Sequence, residues 1–178
     1  GRRCYGRRAM IAAIEQMSAE THEHWMGFAL QQAARAAQLD EVPIGAVVVD
    51  VENQQIIGSG FNQPIRAKDP TAHAEILAIR SASQSIGNYR LPNMCLYVTI
   101  EPCTMCVGAL VHARVSQLVF GAREPKAGAV ISRQQLLAEE SYNHRITHLE
   151  GVRADQCSAL MTAFFQAKRS AELDPEGK

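Results

Sequence analysis

The apolar positions of the chain follow two alternating rhythms. Between residues 22 and 38, Trp25, Phe28, Ala29, Ala33 and Ala36 recur at three- and four-residue steps, which predicts a helix with one buried face. Ile44 to Val49 is a short apolar run rich in β-branched residues. Asp50 to Gln54 is polar turn material, and Gln55 to Phe61 is extended again, so this stretch is expected to be a β-hairpin. Asp69-Pro70-Thr71 opens a second helix running to about Ser83, with Asp69 or Thr71 as its cap and Ile76, Leu77, Ile79 and Ala82 on its buried face. Cys95 to Ile100 predicts a strand broken by Glu101-Pro102. A helix from Cys103 to about Ala113 and a strand from Gln117 to Phe120 follow. Residues 122–131 are expected to be a loop, 132–139 a short helix and 146–152 a last strand. A final helix from Ala154 to about Ala171 sets Leu160, Phe164 and Ala167 on one side.

Alternating helices and strands point to an α/β layered domain. The strand–helix–strand unit over 95–120 requires parallel neighbouring strands and a right-handed crossover, whereas the hairpin strands must be antiparallel. The expected product is a single domain with a mixed five-stranded sheet and helices on both faces. Its expected span is residues 21–171, preceded by a basic arm over 1–20, disordered or expression-derived, and followed by a polar tail over 172–178.

Composition narrows the class. In 178 residues, 47% are apolar and 20% charged, the balance of an ordinary globular domain. No apolar run approaches the roughly 18 residues that would suggest a membrane span. Arg2, Arg3, Arg7 and Arg8 precede an apolar stretch, but it is short and Glu15-Gln16 follows at once, so a secretory leader is rejected. Five cysteines, an odd number without a disulfide framework, argue for a reducing, cytoplasmic setting. Cys95 and Cys157 sit in apolar surroundings and read as small buried hydrophobes, and Cys4 stands alone in the arm. Lys plus Arg equals Asp plus Glu at 18 each, so any nucleic-acid contact must use a local patch and not a global field.

The chemistry lies in His73-Ala74-Glu75 and Pro102-Cys103-Thr104-Met105-Cys106. Cys103 and Cys106, three apart at a helix start, project their sulfurs to one side of the first turn. With His73 they form an imidazole–dithiolate set for Zn2+, one ion per subunit, that leaves the fourth tetrahedral position for water. A structural zinc site would be closed by a fourth protein ligand, and no second CxxC pair exists to close it. Helix N-termini favour thiolate over thiol. Glu75, two residues past His73, is free to act as the proton shuttle. On its own a CxxC is more often a structural half-site or a redox pair. HxE at one helix start and PCxxC at another about thirty residues later is the joint pattern of zinc nucleobase deaminases.

At these residues the chain resembles the cytidine-deaminase-like superfamily, and within it the bacterial tRNA-specific adenosine deaminases. The resemblance runs from about residue 22 to about 170. It is carried by Glu41 to Val47, Asp69 to Glu75, Leu96 to Thr99 with Glu101 to Cys106, Val119 to Arg123, Asn143-His144-Arg145 and Phe164-Phe165. It implies a three-layer α/β/α cytidine-deaminase-like fold. It also implies hydrolytic conversion of adenosine to inosine at the wobble position of a tRNA anticodon, in a cytoplasmic homodimer that takes the anticodon stem-loop as partner and touches no membrane. Asn62 is implied to hydrogen-bond the target base, Glu124 to contact a loop nucleotide, and Phe165 and Lys168 on the last helix to face the anticodon loop, with Phe164 and Arg169 beside them. The two phenylalanines read equally well as core packing, and Lys168 as part of a solvated final turn. Glu124 stands where the family usually has Asp, which leaves that contact open. Two other readings remain: a free-base guanine or cytosine deaminase, which shares the two motifs, and a zinc-stabilised RNA-binding module without catalysis.

Overall fold

A computed structural model describes residues 16–174 of the chain. The arm expected over 1–20 lies largely outside the described residues, as do Cys4 and the end of the polar tail. Helix α1 (Ala19–Gln38) begins three residues before the predicted start, because Ser18 Oγ accepts the Thr21 N–H at 3.1 Å and caps it. The strands are β1 (Gly45–Asp50), β2 (Gln55–Phe61), β3 (Met94–Ile100), β4 (Gln117–Ala122) and β5 (Thr147–Leu149). Between them lie α2 (Pro64–Ala67), α3 (Ala74–Ile86) and α4 (Thr104–His112), and α5 (Ala154–Leu173) follows β5.

The strand order is β2-β1-β3-β4-β5, antiparallel on the hairpin side and parallel from β3 to β5. This is the mixed five-stranded sheet the pattern requires. The period-2 alternation of the central strands divides two buried layers. Val48, Leu96, Val98 and Phe120 face α3 and α4, whereas Val47, Val49, Tyr97 and Val119 face α1 and the start of α5. Every residue of β3 is buried, as a central strand covered on both faces demands. Close approach of α3 to the sheet depends on Gly60, where a Cβ would lie 2.6 Å from the Ala74 carbonyl oxygen.

Three predicted elements change their bounds, each for an identifiable reason, and one helix face is covered less than expected. The second helix starts at Ala74 and not at residues 69–71, because Asp69 Oδ1 accepts the Thr71 N–H (2.8 Å) and hydroxyl (2.7 Å) in a local turn, and His73 takes the N-cap position. The short helix expected over 132–139 is reduced to a 3-10 turn at Leu136–Ala138. Upstream of it, the amides of Val130, Ile131 and Ser132 go to the Glu101 carboxylate and those of Arg133 and Gln134 to the Gly128 carbonyl, which leaves no helical ladder to propagate. The last strand spans three residues instead of seven, ending before Gly151, whose φ of +84° turns the chain out of the extended region. Finally, the expected side of α5 is covered only in part: Cys157 is buried, Leu160 and Phe164 are half-buried, and Ala167 is exposed.

Candidate active site

Two helix N-termini converge on the side of the sheet covered by α3 and α4. His73 is the N-cap of α3 and Cys103 the N-cap of α4, and Cys106 lies three residues on, in the first turn of α4. The His73 side chain makes no cap bond to its own helix and is turned to other use. His73 Nδ1 stands 3.6 Å from Cys103 Sγ and 3.6 Å from Cys106 Sγ, and the three potential ligand atoms lie within 4.8 Å of one another. A tetrahedral zinc with ordinary Zn–N and Zn–S bonds places its nitrogen and sulfur ligands about 3.6 Å apart. The donor set and its spacing therefore fit that ion. It is the one cluster of three or more metal-binding side chains among the described residues.

The charges support the same arrangement. Hydrogen bonding from Cys106, together with His73, pulls the Cys103 thiol down to about 4, so Cys103 is a thiolate. Cys106, donating to Cys103 and buried, is pushed up. Two adjacent thiolates repel each other, and a divalent cation between them removes that penalty and the proton from Cys106. His73 is held above its usual range by its bond to Cys103. Its Nδ1 faces the sulfurs, which leaves Nε2 for a proton.

Glu75, in the first turn of α3, is 4% exposed. Burial raises its carboxyl above the normal range, and the hydrogen bond to Cys106 works against that rise. Such a carboxyl, beside the cluster, is suited to taking and returning a proton.

The remaining predicted residues are distributed unevenly. Asn62 follows β2 and is 7% exposed, and its side-chain amide makes no hydrogen bond among the described residues. The Gln63 N–H donates to the Ala72 carbonyl at 3.0 Å, which lays this segment beside the His73 turn. Glu124 is turned onto its own loop, with Oε1 accepting the Lys126 N–H at 2.9 Å. Phe165 is 42% exposed and edge-on to Phe164, so neither serves as core. Lys168 donates to Asp40 Oδ2 at 2.6 Å and lies 5.6 Å from the centre of the Phe164 ring. Both of its contacts are thus internal.

Two buried carboxylates were missed as organising groups. Glu41, 1% exposed, accepts the Ile65 and Arg66 amides at 3.2 and 3.0 Å and anchors α2 after Asn62. Glu101, 3% exposed, accepts four amides and a hydroxyl from the loop after β4. The signal available in the sequence was an acidic residue at the edge of an apolar run with a proline close behind, as in Glu41-Val42-Pro43 and Glu101-Pro102. Next to Cys103, a cavity of 470 Å³ is lined by Thr104, Lys126, Arg133 and Gln134 among others. No helix among the described residues is long and apolar enough to cross a membrane.

Comparison with known proteins agrees with this geometry. A model of the MafB19-like deaminase family matches residues 20–169. The chain is 47% identical to the tRNA-specific adenosine deaminase of Haemophilus influenzae, over 86% of this chain and 88% of that protein. It is 42% identical to the Bacillus subtilis enzyme of the same name, over 83% and 90%. Among solved structures, one from studies of A-to-I editing by tRNA:A34 deaminases superposes with a TM-score of 0.74 at 40% identity, covering 77% of this chain and 98% of that one. A guanine deaminase from Nitrosomonas europaea superposes at 0.68 with 27% identity, covering 80% and 83%.

Proposed function

This chain belongs to the MafB19-like deaminase family, among the tRNA-specific adenosine deaminases, and from that premise we propose that it hydrolyses adenosine to inosine at the wobble position of a tRNA anticodon. The observation that carries the chemistry is the convergence of His73 Nδ1 on the two cysteine sulfurs at 3.6 Å with Glu75 buried alongside. His73, Cys103 and Cys106 would hold one zinc ion per subunit. Bound there, zinc would act as a Lewis acid that brings the pKa of water toward neutrality.

The chain's own part is to place the base and move protons. A loop base is splayed from its stack at small cost, and its purine edge meets the unpaired Asn62 amide, which both donates and accepts. As water adds to C6, Glu75 takes its proton and delivers it to N1. A second proton passes from the new C6 hydroxyl through the same carboxylate to the exocyclic amine, which leaves as ammonia. The C6–N bond is exchanged for C6=O, the proton on N1 stays, and inosine results. Burial of Glu75 keeps its protonated form within reach, as a shuttle needs.

Phe165, Glu124 and Lys168 belong to this reading as contacts to the anticodon loop, with Lys168 exchanging its Asp40 partner for a phosphate. A homodimer acting in the cytoplasm completes it, supported by the family alone. A free-base reading has one observation behind it, the fold shared with a guanine deaminase. The zinc-loaded protein separates the two when given an anticodon stem-loop with adenosine at the wobble position beside free guanine and cytosine. Inosine in the stem-loop, without ammonia from the bases, is expected. Ammonia from a free base with an unchanged stem-loop refutes the tRNA reading, and stem-loop binding with no deamination at all points to a non-catalytic module.

A further inference from the structure

The loop after β4 forms the outer wall of the cavity beside Cys103, and it has little regular structure of its own to hold it there. Between β4 and β5, only the 3-10 turn at Leu136–Ala138 is regular. Most of the bonds that tie the wall to the segment leading into α4 end on a single side chain. Glu101 lies between the end of β3 and Cys103. Its Oε1 accepts the Glu124 N–H at 3.1 Å and the Ser132 hydroxyl, and its Oε2 accepts the N–H groups of Val130, Ile131 and Ser132 at 3.1, 2.8 and 3.0 Å. The fit is close enough that a Cβ at Gly128 would overlap the carboxylate, so Gly128 is the residue that lets the loop wrap it. The Ala129 N–H donates to the Pro102 carbonyl at 2.9 Å, a second bridge between the same two segments. At the outer rim, Thr104 Oγ1 donates to Gln134 Oε1 at 2.6 Å. The wall so fixed carries Lys126 and Arg133, neither of which has a carboxylate partner among the described residues.

We propose that Glu101 is a positioning residue for RNA: by gathering the Glu124–Ser132 loop onto the turn that carries Cys103, it sets the width of the cavity and the placement of Lys126 and Arg133 against the phosphates flanking the reacting nucleotide. This rests on the tRNA reading above. Glu101 touches neither the base nor the metal ligands' donor atoms. It acts through the loop, so its loss weakens capture of the substrate more than the chemical step. Misplacing substrate-holding groups by about an ångström costs on the order of a hundredfold. The two cations add an electrostatic contribution that falls with salt.

Three zinc-loaded variants grade the test. Ser132→Ala removes one donor, Gly128→Ala pushes the loop from the other side, and Glu101→Gln replaces one acceptor oxygen with a donor that faces N–H groups. The stem-loop KM is expected to rise in that order, reaching roughly tenfold to a hundredfold in Glu101→Gln, with kcat little changed and zinc still stoichiometric. Amide hydrogen exchange at Val130, Ile131 and Ser132 is expected to accelerate in the same order, with or without RNA. Unchanged exchange overturns the anchoring, and faster exchange with an unchanged KM overturns the role in substrate capture. A fall in kcat and zinc content at constant KM assigns Glu101 to the metal site instead. A wild-type protein that holds zinc but leaves the stem-loop untouched removes the premise, and that is seen before any variant is compared.

Discussion

The two ends of the proposed site are built differently. The His73–Cys103–Cys106 cluster and Glu75 stand on helix N-termini pressed against a sheet whose central strand is wholly buried, and their positions follow from the backbone. The last helix lies along the surface with one buried residue, and Phe165 and Lys168 project from it through exposed side chains. On the proposed reading, a site that must hold a geometry to fractions of an ångström is carried by close-packed elements, while contacts to a flexible RNA loop would be left to side chains that can adjust. Substitutions in the first region should therefore abolish function or folding, and those in the second should grade it.

The largest effect is expected from the cluster. Cys103→Ala or His73→Ala should lose stoichiometric zinc and reduce inosine formation to background, and chelation of the wild type should do the same until zinc is restored. Metal analysis and a stem-loop assay check both. A variant that lacks zinc yet stays active breaks the contrast outright. Next comes Asn62→Ala. Losing both halves of a buried amide that meets a purine edge should cost about 1.5–3 kcal/mol in kcat/KM, with zinc content unchanged. An effect that appears only in thermal unfolding would make Asn62 a structural residue.

Gly60→Ala probes how firmly the first region is packed. The added methyl meets the Ala74 carbonyl and should lower unfolding stability by about 1–3 kcal/mol, read by denaturant titration. A neutral result would show that α3 has room to shift. The smallest effect is expected at Lys168. Its exposed ion pair with Asp40 is worth less than about 1 kcal/mol, so Lys168→Ala should barely move stability. If it trades Asp40 for phosphate on binding, the variant should flatten the salt dependence of stem-loop affinity by about 0.7–1 in the log–log slope. An unchanged slope would leave Lys168 as a purely internal contact.

The same division explains what the sequence could disclose. The strands, the sheet's mixed character and the helix start at Cys103 were legible because periodicity and Pro-Cys spacing act locally, whereas the helix that His73 caps was expected to open earlier, at residues 69–71. The cluster was legible for a further reason: HxE and PCxxC leave few other uses for those side chains. Residues 132–139 misled because a helical pattern there is overridden by Glu101, about thirty residues back in the sequence, which claims the amides the helix would need. The final strand was overextended because only its pairing with β4 could limit it. In α5 the spacing of Leu160, Phe164 and Ala167 predicted a packed face, yet Leu160 and Phe164 are only half-buried and Ala167 is exposed, because periodicity does not say how deeply a face packs. The internal Lys168–Asp40 pair spans 128 residues and has no local signature at all.

The central claim joins a buried carboxylate to deamination of an RNA adenosine, and Glu75→Ala tests it most directly. Wild type and variant, matched for zinc content, are given the same adenosine-34 anticodon stem-loop, and inosine is measured at saturating substrate. The expected result is full zinc occupancy and stem-loop binding in both, with kcat in the variant lower by about 10²–10⁴-fold. A zinc-loaded Glu75→Ala protein that forms inosine at the wild-type rate would contradict the assignment of Glu75 and the mechanism built on it.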